Sequence, residues 1–129
     1  MYTNIDYVEH CLKFYTLDCL IAVCENYQDL NVVFKGVDAT VGDLISWRGS
    51  YNLPAITPLY GVRKKGIDIV NQLSEQMEQY HTGWKGGEYK FDPDDVFRVS
   101  NVGFREEFSV IQSEVSNGEL VLYTAINKY

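Results

Sequence analysis

The sequence predicts an α+β fold: N-terminal helices and one amphipathic central helix packed on an antiparallel sheet of C-terminal hairpins. Apolar residues recur at helical spacing near the N-terminus and again between residues 67 and 80. Beyond residue 86 the apolar period becomes that of strands, with turn signals at "DPDD" (92–95) and "SNG" (116–118). With 129 residues, 46% hydrophobic and 22% charged, the chain is long enough to bury one core without disulfides or metal. Residues 1–129 therefore read as a single domain.

The opening predicts a helix. Thr3 or Asn4 supplies a cap, Asp6 sits in the first turn, and Ile5, Val8, Leu12 and Tyr15 recur at helical spacing. Leu17, Leu20, Ile21 and Cys24 form a second stripe, so one long helix or two abutting ones are expected. "NVVFKGV" (31–37) reads as a short strand ended by Gly36 and Asp38. "TVGDLISWRGSY" (40–51) is ambiguous between a helical turn and a strand. "NLPAITPLYG" (52–61), with two prolines, is loop or extended chain. Ile67, Val70, Leu73, Met77 and Tyr80 line one face of the central helix, opposite Asp68, Gln72, Glu75 and Gln79, and Gly83 is placed to end it. "EYKF" and "VFRV" flank "DPDD" as a hairpin with a four-residue loop. "FSVIQSEV" and "ELVLYTAI" form a second hairpin about Asn117-Gly118.

Composition narrows the function. A net charge of −7 excludes a duplex nucleic-acid binder, which needs a basic face to displace counterions. It permits an acidic surface that imitates nucleic acid, with Asp92, Asp94, Asp95, Glu106 and Glu107 as its densest carriers. Cys11, Cys19 and Cys24 match neither a zinc spacing nor a closed disulfide set, and read as small apolar helix residues in a reducing cytoplasm. The start has no signal-peptide pattern and no apolar run is long enough for a membrane span, so no membrane partner is expected. His10 and His81 are in no metal spacing. Nucleophile elbow, Walker A and dinucleotide motifs are all missing. The expectation is a protein without catalysis, cofactor or metal.

Two segments stand apart. In "SWRGSY" (46–51), Trp47 and Tyr51 offer flat surfaces, Arg48 a planar donor fork, and Gly49 close backbone approach. In "GWKGGEY" (83–89), Gly86-Gly87 can present consecutive N–H groups to an anion, and Lys85 adds positive charge. Trp84 and Tyr89 can sandwich a base, and Glu88 can accept from a hydroxyl or amino group. The plain alternative is that the glycines end a helix and the tryptophans pack in a core.

"SWRGSY", followed by "GWKGGEYKFDPDDVFRVSNVG", resembles a family of short bacteriophage-encoded proteins of unassigned function. That family is similar in an S-aromatic-R-G-x-Y segment, a G-aromatic-K-G-G-E-aromatic segment and a strand ending in Asn-x-Gly. The resemblance covers residues 40–104 and points at Ser46, Trp47, Arg48, Gly49, Tyr51, Gly83, Lys85, Gly86, Gly87, Glu88, Asn101 and Gly103. Trp84, in place of tyrosine, and the proline of "DPDD" depart from it. The resemblance implies phage origin and no mechanism. From that origin and the acidic, non-catalytic composition, the expected function is counter-defence. The chain would sequester a nucleotide immune signal, a cyclic oligonucleotide or an ADP-ribose derivative, in the host cytoplasm, as a homo-oligomer. Arg48, Lys85 and Arg98 would hold phosphates. The alternative is an acidic inhibitor of a host defence protein such as a CRISPR complex or nuclease.

Overall fold

A computed structural model describes residues 14–47, 50–82, 86–100 and 108–127, with backbone alone for residues 50–52. The first described helix, α1 (Leu17–Asn26), begins where Thr16 turns extended and its hydroxyl accepts the Cys19 N–H at 3.1 Å. Phe14 and Tyr15 are not helical, which removes the single unbroken helix from the two alternatives. Tyr15 instead runs beside a strand, donating its N–H to the Val110 carbonyl at 2.7 Å and bonding the Ser113 hydroxyl at 2.8 Å. The caps expected at Thr3 or Asn4, and the stripe Ile5, Val8 and Leu12, lie outside the described residues.

Eight strands are described: β1 (Asn31–Phe34), β2 (Ala39–Trp47), β3 (Ser50–Tyr60), β4 (His81–Thr82), β5 (Glu88–Tyr89), β6 (Arg98–Val99), β7 (Phe108–Ser116) and β8 (Glu119–Ile126). The second helix, α2 (Gly66–Glu78), lies between β3 and β4. Six strands form one mixed sheet in the order β1-β8-β7-β6-β3-β2, and β4 pairs with β5 in a separate ribbon. The sheet is mostly antiparallel, as expected. It differs in drawing three strands from the first sixty residues, and in pairing β1 with β8 and β3 with β6 in parallel. Within the ambiguous segment 40–51, residues 40–47 are strand because alternate β2 positions Ala39, Val41 and, after a bulge, Leu44 enter the core, and residues 50–51 begin β3.

Strand β3 contains Pro54 and Pro58 yet lies inside the sheet. The Ile56 carbonyl accepts from Ser100, so Ile56 turns its polar backbone toward β6. Pro54 and Pro58 share that parity and have no N–H to offer β6. Among the described residues the β3–β6 pairing accordingly involves Ala55 and Ile56, between the two prolines, while the β2 ladder on the other side is spared.

The expected "DPDD" hairpin does not form. Strand β5 pairs with β4, and the acidic segment serves α1: the Asp95 and Pro93 carbonyls accept from the Leu17 and Asp18 N–H groups at 3.1 and 3.0 Å. Unpaired first-turn donors of a helix need such acceptors. The second expected hairpin does form, as β7–β8, with Asn117 at φ 52° and Gly118 at φ 77° in the turn.

Strands β1 and β2 are consecutive in the chain, are joined by four residues, and occupy opposite edges of the sheet. Five strand spacings of about 4.8 Å would separate the edges of a flat sheet by about 24 Å. The five chain steps from Phe34 to Ala39 reach at most about 18 Å. The sheet therefore curls until β1 and β2 meet. Residues 61–65 run back along β1 and seal that edge: Gly61 N–H donates to Asp38 at 3.0 Å and Val32 N–H to Lys64 at 2.9 Å.

Both helices pack on the concave face. Leu17, Leu20, Ile69 and Leu73 are fully buried with Val32, Val41, Ile56, Phe97, Leu120 and Leu122. Helix α2 ends at Glu78, with Gln79 extended, ahead of the expected stop at Gly83, which lies outside the described residues. Tyr80 is consequently off the helix and 68% exposed, against its expected place on the buried face. Among the described residues no helix is long and apolar enough to cross a membrane.

Candidate functional site

The polar face of α2 lies along the edge of β2. The Gln72 side-chain amide donates to the Gly42 carbonyl at 2.8 Å, and Gln76 Oε1 accepts the Leu44 N–H at 2.9 Å. The two glutamines stand in for a neighbouring strand and cap an otherwise open edge. Both amides also donate to Asp43 Oδ1, at 3.0 and 3.1 Å. Lys64 donates to Gln72 Oε1; partial burial lowers its pKa, opposed by Asp43 and Asp68.

Just past the C-terminus of α2, the β4–β5 ribbon folds against the same end of β2. His81 Nε2 donates to the Gln76 carbonyl at 3.0 Å, satisfying a last-turn acceptor. Its ring sits 5.5 Å from Tyr89 and 4.9 Å from Phe91, and Tyr89 meets Phe91 edge-on. The Tyr89 hydroxyl reaches across to the Ser46 hydroxyl at 2.6 Å. Segments 46–51 and 83–89, nearly forty residues apart in sequence, thus meet through a direct hydrogen bond.

Around that bond the expected site residues divide. Trp47 and Arg98 are 7% and 5% exposed, so both sit inside the fold and neither faces solvent as an incoming phosphate or base would require. Tyr89 is half-buried and packs against the core while its hydroxyl bonds Ser46. Gly86, Gly87 and Glu88 are exposed on the ribbon. Gly86 holds φ 89°, and a Cβ built on either glycine meets nothing within 4 Å, which leaves open space in front of the backbone. Arg48, Gly49, Trp84 and Lys85 lie outside the described residues, as do the Tyr51 side chain and the family positions Gly83, Asn101 and Gly103.

The sequence assigned Ser46 no contact of its own, and placed His81 in no metal spacing. The Gln76 bond makes His81 a capping residue of α2, and its aromatic contacts had no sequence signal. Lys90 was also missed. Its Nζ lies 4.9 Å over the exposed Tyr80 ring, and it borders a groove between the helices floored by Ile21, Met77 and Phe91. Asp18 and Glu78 line the same groove, so two carboxylates oppose one lysine there and a polyanion is disfavoured.

The acidic turn is a separate feature. Asp92 and Asp94 are exposed, and the Asp94 N–H donates to Asp92 Oδ1 at 2.9 Å. Partial burial raises the Asp95 pKa, and the neighbouring Asp92 and Asp94 charges add to the rise. Glu106 and Glu107 lie outside the described residues. Cys24 is buried and its thiol is pushed up to about 12, whereas Cys19 is exposed; Cys11 is not described. Among the described residues no cluster of His, Cys, Asp and Glu is arranged to hold a metal ion. No protein-family model, curated protein or solved structure matches the chain.

Proposed function

We propose that this protein binds and sequesters a nucleotide-type ligand without catalysis, as a phage counter-defence factor acting in the host cytoplasm. The single observation that carries the reading is the Ser46–Tyr89 hydrogen bond, which joins the two segments whose side chains suit base and phosphate. The open backbone at Gly86 and Gly87 supports an anion seat between them. Trp47 and Arg98 support the site from within the fold. Contact with ligand falls to Arg48, Gly49, Tyr51, Trp84, Lys85 and the ribbon residues. A ligand shared between copies of the chain would enlarge the concave surface available to so small a domain.

The test is a thermal-shift screen against cyclic di- and trinucleotides and ADP-ribose derivatives. A ligand at a hundred times its Kd adds about 2.7 kcal/mol of stability. The expected result is a shift that Arg48→Ala and Lys85→Ala abolish. Flat melting curves with every nucleotide class would end the reading.

A second reading is supported by the acidic turn. Asp92 and Asp94 are held exposed on a segment pinned to the start of α1, a fixed negative edge suited to a basic groove on a host defence protein. Charge reversal at Asp92 and Asp94 would abolish inhibition of such a partner and leave nucleotide binding intact. Arg48→Ala and Lys85→Ala would do the opposite.

A further inference from the structure

A groove of about 420 Å³ runs between the two helices and is bordered by the segment that follows β5. The start of α2 abuts the end of α1, with Gly66 against the Cys24 and Tyr27 carbonyls. Asp18 and Glu78, from the other ends of the two helices, line the groove together, so the helices run antiparallel and supply opposite walls. The floor is apolar. Ile21 and Met77 are half-buried against the core, and Phe91 beside them is buried.

The rim is acidic on both walls. On α1, Glu25 follows Asp18 by two turns, about 10.5 Å along the helix, with Ile21 on the same stripe between them. On α2, Glu75 precedes Glu78 by one turn. All four carboxylates are exposed, and among the described residues none has a cation within ion-pair distance. Lys90, the one lysine in the described lining, is drawn over the Tyr80 ring at 4.9 Å.

Charge decides between occupants. Residues 1–13 of this chain carry Asp6, Glu9 and Lys13, and residues 101–107 carry Arg105, Glu106 and Glu107. The side chains of each segment are net negative, so neither complements the rim. A second copy, itself of net charge −7, would set carboxylates against carboxylates. Nucleic acids and anionic membranes are repelled in the same way. A helix with an apolar stripe flanked by lysine or arginine matches both floor and rim, as an amphipathic helix does when it lies in a groove.

We infer that the α1–α2 groove is a docking site for a basic amphipathic helix of a partner protein, its apolar stripe on Ile21, Met77 and Phe91 and its cations on the two acidic rims. Cations two turns apart on the incoming helix meet the Asp18–Glu25 spacing. Charge complementarity of this kind sets encounter rate and specificity, while the apolar floor holds the complex. The groove shares no residue with the nucleotide reading and stands independently of it.

The test titrates the isotope-labelled full chain with a peptide of about 18 residues, five helical turns, built from leucine and lysine at amphipathic spacing. A counterpart peptide carries glutamate for every lysine. The lysine peptide is expected to bind at low salt with a Kd of about 10 μM and to move the Ile21, Met77 and Phe91 amides saturably. The glutamate peptide should not bind. Glu75→Lys with Glu78→Lys should weaken the lysine peptide about tenfold, and Asp18→Asn, on the opposite wall, about threefold. Cations suit the last turns of a helix, so the double variant should fold. Glu114→Lys with Glu119→Lys makes the same change of net charge on the β7–β8 hairpin and should shift the Kd by less than about twofold. Arg48→Ala and Lys85→Ala should leave the peptide's binding untouched, which separates this groove from the nucleotide site. Four results would overturn the inference. They are no binding at about 1 mM lysine peptide, equal binding of the glutamate peptide, equal weakening by the groove and hairpin reversals, or binding that drives the amides of residues 1–13 to unfolded positions. The last would assign the groove to the chain's own segment.

Discussion

The two ends of the concave face are built from the same strands and packed in opposite ways. At one end α1 and α2 fill the curl, and Leu17, Leu20, Ile69 and Leu73 are shut off from water. At the other, Val37, Tyr60 and Ile126 remain about half exposed, and Val37 and Tyr60 line a hollow of about 100 Å³. A strand alternates its side chains without regard to what covers it, so each strand carries core residues past the region the helices reach. Burial, and with it stability, is therefore concentrated at the helical end.

That contrast is broken or sharpened by substitutions of graded effect. Leu73→Ala at the helical end should lower unfolding free energy by about 3 kcal/mol in a denaturant titration, because it leaves a cavity among fully buried neighbours. Gly66→Ala comes next, at about 2 kcal/mol. A Cβ there would run into the carbonyl oxygens of Cys24 and Tyr27, where the start of α2 abuts the end of α1. Ser46→Ala and Tyr89→Phe should each cost about 1 kcal/mol, and their double-mutant cycle should return a coupling of similar size. A vanishing coupling would mean that the two segments are neighbours without being joined. Val37→Thr at the open end should change stability by less than about 0.5 kcal/mol, and a larger loss would show that this end is packed after all.

The smallest effect depends on pH. The folded pKa of Asp95 is raised above its ordinary 3.8, so the folded state holds the proton more tightly than the unfolded one. Its contribution is favourable at low pH and is lost as pH rises from the ordinary carboxylate range through the folded value. Asp95→Asn should therefore raise the melting temperature slightly at pH 7. The gain should shrink to nothing as the medium is acidified below that range.

What could be read from the residues depended on how local the determinant was. The β7–β8 hairpin was legible because Asn117-Gly118 fixes its turn within two residues. The central helix was legible from its apolar period, but its end was not, because Gln79 turns extended to lead into the β4–β5 ribbon. "DPDD" looked like a hairpin loop, yet its carbonyls are taken by the first turn of α1, some eighty residues earlier. The parallel pairings of β1 with β8 and β3 with β6 had no local signature at all. The same holds for the candidate site. Residue types in 46–51 and 83–89 suggested a ligand, but only the fold brings Ser46 to Tyr89, and only the fold buries Trp47 and Arg98.

The four-residue link between opposite sheet edges has a consequence for how this chain acquires its shape. Asn31 lies early in the chain, and its strand partner Glu119 lies far along it. While the polypeptide is being synthesised, β1 has residues 61–65 along one edge but no strand on the other, and its apolar residues Val32, Val33 and Phe34 stay adhesive. Closure waits for β8, so folding should be slow for a chain of this size, limited by a single long-range encounter. A ribosome-stalled fragment ending before residue 119 should be captured by chaperones, and release should follow addition of the last hairpin.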